Sequence, residues 1–413
     1  MKSLSLSIVF VLSSLPIIYG QWEDISINTD IRLLSIDFID DDNGYVIGAN
    51  QIFKTSDGGA NWELNYEGEL SMSLRDVFAL DNETAFAVGE DKDSESSLLL
   101  RTGDNGMTWT QIPLANYSTL TSILFTSPQI GYCTAERGRI LKTIDGGLTW
   151  ENKSEGLIVT NNVFISVDFA NDTFGIAVGD RVDPTGGSSF ITKTENGGDS
   201  WELLFHYPDL DPRKISVFFS DEETFYLLES DGMFRIDSCG QNWTNTDPEF
   251  KFQNREIFFT DNSTGYVIGR RIQKTTNGGE DWEEITPVIQ GKSPNCIVFN
   301  SIDFPSSEIG YIAGNDGAIF KTINGGISST DDFITNSDIK IYPNPVIDIL
   351  TLELKDETPL DYIEVYDSET YLTTIESGNS NQISLDLSNY PHGTYYLVIF
   401  SKNNQSVRRV LKY

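Results

Sequence analysis

A nine-residue phrase, Lys54-Thr55-Ser56-Asp57-Gly58-Gly59-Ala60-Asn61-Trp62, returns along the chain at 101–109, 142–150, 193–201, 235–243 and 274–282. A seventh copy at 321–329 keeps Asn324-Gly325-Gly326 but ends on Ser329 where tryptophan stands elsewhere. The fourth position of the phrase falls at 57, 104, 145, 196, 238, 277 and 324, so the repeat length lies between 39 and 51 residues. That length is one blade of a four-stranded β-propeller, a unit that must stack against its neighbours to bury its apolar face.

Each unit carries a second phrase upstream. Ser35-Ile36-Asp37-Phe38 leads to Gly44-Tyr45-Val46-Ile47-Gly48, and the pattern recurs at 166–179 and 301–314. These runs are β-branched and aromatic with turn residues between them. One blade therefore reads as an inner strand, a Gly-Tyr-Val strand, an Ile-Phe-Lys-Thr strand, an Asp-Gly-Gly turn and a Trp-Glu outer strand. Asp57, Asp104 and Asp145, with Asn196, Asn277 and Asn324 at the same place, suit the turn because their side chains bond nearby amides while glycine accepts positive φ. They are read as turn-formers, not as catalytic acids. Trp62, Trp109, Trp150, Trp201, Trp243 and Trp282 open the outer strands, where a large ring can pack between blades. Trp22-Glu23 reads like one more such strand and supplies the tryptophan that the seventh copy lacks. The expected fold is all-β: a seven-bladed propeller whose N-terminal strand closes the last blade, followed by a small C-terminal β-sandwich.

The pattern Thr-x-Asp-x-Gly-x-x-Trp, seen in Thr55-Asp57-Gly59-Trp62 and Thr143-Asp145-Gly147-Trp150, resembles the Asp-box (BNR) repeat of sialidase-like propellers. With the Gly-Tyr-x-x-Gly phrase upstream it is most similar to the photosystem II assembly and stability factor group of seven-bladed propellers. The resemblance spans about residues 22–329 and implies the fold more than a function.

Both ends of the chain differ from the repeat. Met1-Lys2 followed by the apolar run Leu4–Leu15, broken by Pro16, has the layout of a secretory signal peptide over residues 1–20 and is too short to span a bilayer. The propeller then occupies 21–329, and a polar, acidic linker occupies 330–338. Residues 339–413 alternate like short strands, with Pro391-His392-Gly393 as a turn. Tyr342-Pro343-Asn344-Pro345, Leu387-Ser388-Asn389-Tyr390, Gly393-Thr394-Tyr395 and the terminal Arg408–Lys412 resemble the type A C-terminal sorting domain of the type IX secretion system. That resemblance implies type IX secretion machinery as a partner, export across an outer membrane, and release or surface attachment.

The chemistry is sparse. The formal charge of −34 opposes nucleic acid and anionic membrane surfaces. Residues 331–413 hold 13 acids and 6 bases, so most of that charge sits on the repeat segment. Two histidines, His206 and His392, and three scattered cysteines, Cys133, Cys239 and Cys296, cannot assemble a four-ligand zinc site or a nucleophilic triad. No metal or cofactor motif is found; Asp40-Asp41-Asp42-Asn43 lacks the ligand spacing of a calcium loop and reads as a solvated turn. The candidate binding residues are Arg75-Asp76 and Arg255-Glu256, at inner-strand starts, and the pair Arg270-Arg271. Each inner-strand arginine stands beside an acid, which predicts local salt bridges. Arg270-Arg271 is a basic spot in an acidic field. Two functions stay open: a secreted or cell-surface propeller that binds an extracellular protein or glycan, and an exported sialidase-like or other glycoside hydrolase. An arginine group, a tyrosine and two acids gathered at one channel mouth would favour the hydrolase; a mouth lined by Ser35, Ser122, Ser166, Ser216 and Ser301 would favour the binder.

Overall fold

The computed structural model describes residues 22–326 and 339–413, apart from 115–117, 156, 158–161, 182–187, 208–213, 230–231, 238–241, 247–253, 288–296, 345, 355–361, 367–370, 377–381 and 402–403. Residues 1–20, read above as a signal peptide, residues 330–338, read as a linker, and Pro345, Cys239 and Cys296 lie outside the described residues. Among those residues every regular element is a strand.

Seven antiparallel four-stranded sheets follow one another along the repeat. Blades 1 to 6 are meanders over residues 33–67, 72–111, 120–152, 162–207, 214–245 and 256–284. Blade 7 takes Phe299–Asp303, Gly310–Gly314 and Ile319–Thr322 from the end of the repeat. Its fourth strand, Glu23–Asp24, comes from the start of the chain and pairs Glu23 with Lys321 and Asp24 with Phe320. Innermost strands of neighbouring blades touch all the way round, blade 7 against blade 1 included. The chain is thus a closed β-propeller, with the seam inside blade 7.

A three-ring stack sets the blade. A Cβ on Gly44 would lie 2.5 Å from Phe38, and Gly131, Gly175, Gly265 and Gly310 stand equally close to Phe125, Phe169, Phe259 and Phe304. Glycine is required there because the phenylalanine lies flat on it. Each such ring meets its own blade's tryptophan edge-on, as in Phe38–Trp62 at 5.9 Å and Phe169–Trp201 at 5.9 Å. Trp22 meets Phe304 in the same way at 6.2 Å, which gives blade 7 its tryptophan. Blades 2 and 5 depart from this: in blade 5 Phe225 stands at the glycine's place against Phe219, and in blade 2 Ala79 replaces the phenylalanine and Ala85 the glycine. Trp109 turns instead to Tyr45 at 5.8 Å and donates Nε1–H to Asn65 at 2.8 Å.

The joint between blades uses the other side of that phenylalanine. The tyrosine of one blade stacks on the phenylalanine of the next, as in Tyr311–Phe38 at 3.6 Å, Tyr132–Phe169 at 4.0 Å and Tyr266–Phe304 at 4.4 Å. Its hydroxyl donates to a carbonyl of the next Asp-box: Tyr132 to Gly197, Tyr226 to Gly278, Tyr266 to Gly325 and Tyr311 to Gly58. A cation from the third strand lies over the tyrosine and reaches the same turn, as when Lys274 donates to Gly325 and Lys321 to Gly58. Inside the box Asp57 accepts from Asn61 N at 2.8 Å and from the Asn61 amide at 2.7 Å, and Thr55 Oγ1 accepts from Gly59 N at 2.9 Å. Asp104 and Asp145 repeat this with Thr108 and Thr149. Bonds from those side chains hold all three carboxyls below the usual range.

The tail is a separate β-sandwich. One sheet contains Ile339–Tyr342, Ile349–Leu354 and Gln382–Asp386; the other contains Tyr371–Glu376, Tyr362–Tyr366, Gly393–Ser401 and Asn404–Lys412. Leu350, Leu352, Ile363, Val365, Leu385 and Leu397 form its shared core. The strands 371–376 and 404–412 extend the expected set.

Candidate functional site

The inner strands carry a β-bulge in six blades, between Leu33 and Ser35 in blade 1 and at the equivalent step in blades 2, 3, 4, 5 and 7. The register defines three positions that recur around the axis. The first holds Leu34, Arg75, Thr121, Ile165, Ile215, Arg255 and Asn300; the second holds Ser35, Asp76, Ser122, Ser166, Ser216, Glu256 and Ser301. The third holds Asp37, Phe78, Leu124, Asp168, Phe218, Phe258 and Asp303.

The second and third positions are latches between blades. Asp37 accepts from Ala79 N at 2.5 Å, Asp168 from Phe219 N at 2.6 Å and Asp303 from Phe38 N at 2.8 Å. Asp76 accepts from Ile123 N at 2.8 Å and from Ser35 Oγ at 2.7 Å, and Glu256 accepts from Ile302 N at 2.7 Å. Ser301 and Ser166 accept from Ile36 N and Val217 N. Where the third position is phenylalanine, stacking on the next blade replaces the latch: Phe78–Phe125 at 5.6 Å, Phe218–Phe259 at 6.2 Å and Phe258–Phe304 at 5.8 Å. All five serines named from the sequence lie at this one register position, and Ser35, Ser122, Ser166 and Ser301 make hydrogen bonds between blades there.

These acids have shifted proton affinities. Each is half-buried by exposure but set deep in the ring, where the surrounding protein outweighs the contact with channel solvent. Burial pushes Asp168 and Asp303 up to about 7 and Glu256 up to about 8. Asp37 is pushed well above the usual range by burial and then by repulsion from Asp303, Asp76 and Glu256, and burial raises Asp76 as well. Among the described residues no lysine or arginine offsets them. Their oxygens are committed to backbone amides, and the tyrosines are committed to the joints. Among the described residues, the gathering of arginine, tyrosine and two acids that would favour a hydrolase is therefore not assembled at the mouth. Perturbed carboxyls often mark active sites, but here burial at the seams between blades raises them, and the bonds from backbone amides pull the other way.

The arginines behave differently from the sequence expectation. Arg75 does not pair with Asp76. It reaches Glu90 at 3.1 Å, because successive strand residues face opposite ways and Asp76 points to blade 3. Nor does Arg255 pair with Glu256. Burial and repulsion from Arg32 and Arg270 push Arg255 below its ordinary value, and its Nε has no hydrogen-bond partner. The pair Arg270-Arg271 splits: Arg271 is buried and bonded to Glu284, while Arg270 joins Arg255. Arg32, which no motif marked, completes the group. It donates to Asn300 at 2.8 Å, and Asn300 in turn donates to Leu33 O at 2.8 Å. Arg32, Arg255 and Arg270 thus gather where blades 6, 7 and 1 meet.

Elsewhere the named residues do other work. Asp40 closes its own turn, accepting from Asp42 N and Asn43 N at 2.9 and 2.7 Å. Cys133 is buried, and burial pushes its thiol well up, away from reactivity. In the tail, Tyr342, Pro343 and Asn344 are exposed, and Tyr342 donates to Glu353 at 3.0 Å. Lys412 is buried and donates to Ile347 O, and Val346 bridges to Lys412, so the Tyr342 phrase and the C-terminal end are brought together. Gly393 opens the strand Gly393–Ser401.

The family model for the photosynthesis system II assembly factor YCF48 matches residues 17–119, 116–249 and 236–335, and the secretion system C-terminal sorting domain matches 340–413. Relatives include the chloroplastic photosystem II stability/assembly factor HCF136 of Arabidopsis thaliana, 22% identical over 74% of this chain and 79% of its own length. The photosystem II assembly lipoprotein Ycf48 of a Picosynechococcus strain is 29% identical over 73% of this chain and 87% of its own. Among solved structures, YCF48 bound to D1 peptide superposes with a TM-score of 0.59 at 20% identity, covering 74% of this chain and 98% of that one. YCF48 from Cyanidioschyzon merolae gives 0.56 at 19% identity, covering 73% and 99%.

Proposed function

Because the chain belongs to the photosynthesis system II assembly factor YCF48 family and ends in a secretion system C-terminal sorting domain, we propose that it is an exported, non-catalytic propeller that binds a protein segment at the mouth of its channel. The observation that carries this reading is the Arg32–Arg255–Arg270 group. Guanidinium groups grip carboxylates through parallel N–H donors. A C-terminal carboxylate or an acidic side chain of a polypeptide is the natural occupant of such a group. A YCF48 solved with a bound peptide supports the choice of ligand class. No helix among the described residues is long and apolar enough to cross a membrane.

Screening the purified chain on a peptide array and a glycan array, with fluorogenic glycosides in parallel, tests the proposal. Binding to peptides with free carboxylates and no glycoside turnover is expected. Turnover abolished by substituting one channel carboxylate would overturn it. Removing Arg255 leaves two arginines that still hold positive charge, so Arg255→Ala is expected to weaken peptide binding about tenfold to a hundredfold, the range for losing one charge-assisted contact.

The sorting domain and residues 1–20 together support delivery to the surface or the medium by the type IX machinery. Deleting residues 339–413 is expected to retain the propeller in the periplasm. Fractionation and protease accessibility of whole cells check this, and unaltered surface delivery would contradict it.

A further inference from the structure

We propose that blade 2 carries a second binding site on its outer edge, apart from the channel, which takes the carboxylate of an acidic sugar such as a uronate. The cation that opens each repeated phrase is Lys54, Arg101, Lys142, Lys193, Arg235, Lys274 and Lys321 in blades 1 to 7. In five blades the outer strand sets a glutamate directly across from it: Glu63 for Lys54, Glu151 for Lys142, Glu202 for Lys193, Glu283 for Lys274 and Glu23 for Lys321. Blade 5 has Thr244 across from Arg235, and Asp237 supplies the carboxylate instead at 3.0 Å. Blade 2 has neither acid. Thr110 lies across from Arg101, and Gly103 stands at the place that Asp237 holds in blade 5.

Arg101 is left without a partner. The other six cations donate to an acid or to the next blade's box, as Lys54 does to Asn105 O at 2.7 Å, Lys142 to Asp199 at 2.8 Å and Lys193 to Glu202 at 3.0 Å. Among the described residues Arg101 makes no hydrogen bond and no ion pair. Its guanidinium lies over the Phe86 ring, 5.8 Å from the centroid, and its Nε is buried. A Cβ on Gly103 would lie 2.8 Å from Nη1, so the glycine keeps the space beside the guanidinium open. That space is a cavity of about 310 Å³ lined by Arg101, Gly103, Asp104, Thr108, Thr110 and Ile112, within the size range of small-ligand pockets. A buried donor without an acceptor is costly, and a carboxylate entering the cavity takes the place of the missing glutamate through parallel N–H donors.

The lining selects the kind of carboxylate. Bonds from Thr108 hold Asp104 below the usual range, so it stays ionised and repels a dianion such as phosphate. A fitting ligand therefore presents hydroxyl donors beside its carboxylate. A uronate carries ring hydroxyls there for Asp104 and for Thr110, and a C–H face for Ile112. An aspartate or glutamate side chain has only a methylene in that place. The overall charge of −34 opposes polyanions at long range, so one carboxylate held at contact suits the site.

Calorimetric titration of the full-length chain with methyl β-D-glucuronide, methyl β-D-glucoside and N-acetylglutamate tests this. The glucuronide is expected to bind about tenfold or more tighter than either of the others, the gain from completing a charge-assisted pair. T110E restores the glutamate that the sister blades carry, and R101Q removes the cation. Each is expected to weaken glucuronide binding about tenfold or more, with an unchanged circular dichroism spectrum. Equal binding of glucuronide and glucoside, glucuronide binding undiminished in both variants, or no binding at millimolar concentration would overturn the proposal. N-acetylglutamate bound as tightly as the glucuronide would overturn the assignment to a sugar and mark an acidic-peptide site.

Discussion

Replacing Trp22 with alanine is expected to destabilise the propeller by about 3–5 kcal/mol, the range for removing a buried tryptophan. Trp22 is 2% exposed, packs on Phe304, and belongs to one apolar cluster with Ile285, Phe299, Ile312 and Phe320. It also anchors the two-residue strand that gives blade 7 its outer edge, so its loss uncovers an unpaired strand as well as a cavity. Denaturant unfolding monitored by far-ultraviolet circular dichroism measures the effect. Trp243→Ala is the internal comparison, because Trp243 is only half-buried and closes no seam; it is expected to cost clearly less. Equal losses for the two would remove the special role of the N-terminal strand.

Raising the pH from 5 to 8 is expected to lower the melting temperature by roughly 10 °C. Asp168, Asp303 and Glu256 keep their protons in the fold up to about 7, 7 and 8, whereas the unfolded chain loses them near 4. A group whose folded affinity for the proton is raised gives stability that is fully present below the unfolded value and is lost as pH rises through the folded one. Each such group changes stability by up to about 1.4 kcal/mol per pH unit in that window, and channel water relieves part of it. Asp303→Asn keeps an acceptor for Phe38 N but cannot ionise, so its melting curve is expected to be flatter with pH than that of the unaltered chain. The opposite slope, stability rising from pH 5 to 8, would mean that these carboxyls ionise freely. At the acid end the sign reverses: bonds from Ser263 and neighbouring amides hold Asp261 down to about 2, so its contribution is lost only as pH falls below the unfolded value toward 2.

The ring was legible because its determinants are local and repeated. The Asp-box turn needs Thr55, Asp57 and two glycines within a few residues, and the blade length follows from their recurrence. Trp22 could be assigned to blade 7 from Ser329 alone, since one blade lacked a tryptophan and one tryptophan lacked a blade. The glycine of the Gly-Tyr phrase has a reason visible only in three dimensions: it is the floor under the phenylalanine, as Ala79 and Ala85 show by changing together in blade 2.

The site was less legible. Arg255 and Arg270 could be named from the sequence, but Arg32 could not, because it precedes an inner strand far away in the chain and joins them only when the ring closes. The expected Arg75–Asp76 and Arg255–Glu256 bridges fail for one reason: sequence neighbours on a strand face opposite sides, and Asp76 and Glu256 turn toward the next blade. The repeated Ser-Ile-Asp-Phe phrase already contained Asp37 and Asp303, and its meaning as a latch appears only once Ala79 N and Phe38 N come into reach.

The most direct test is one calorimetric titration of the full-length chain with the same nonapeptide in two forms, ending in a free carboxylate and in an amide. If the Arg32–Arg255–Arg270 group is the binding site, the amide is expected to bind at least about tenfold more weakly, and Arg255→Ala should narrow that difference. Equal affinity for the two forms, unchanged by Arg255→Ala, would contradict the account.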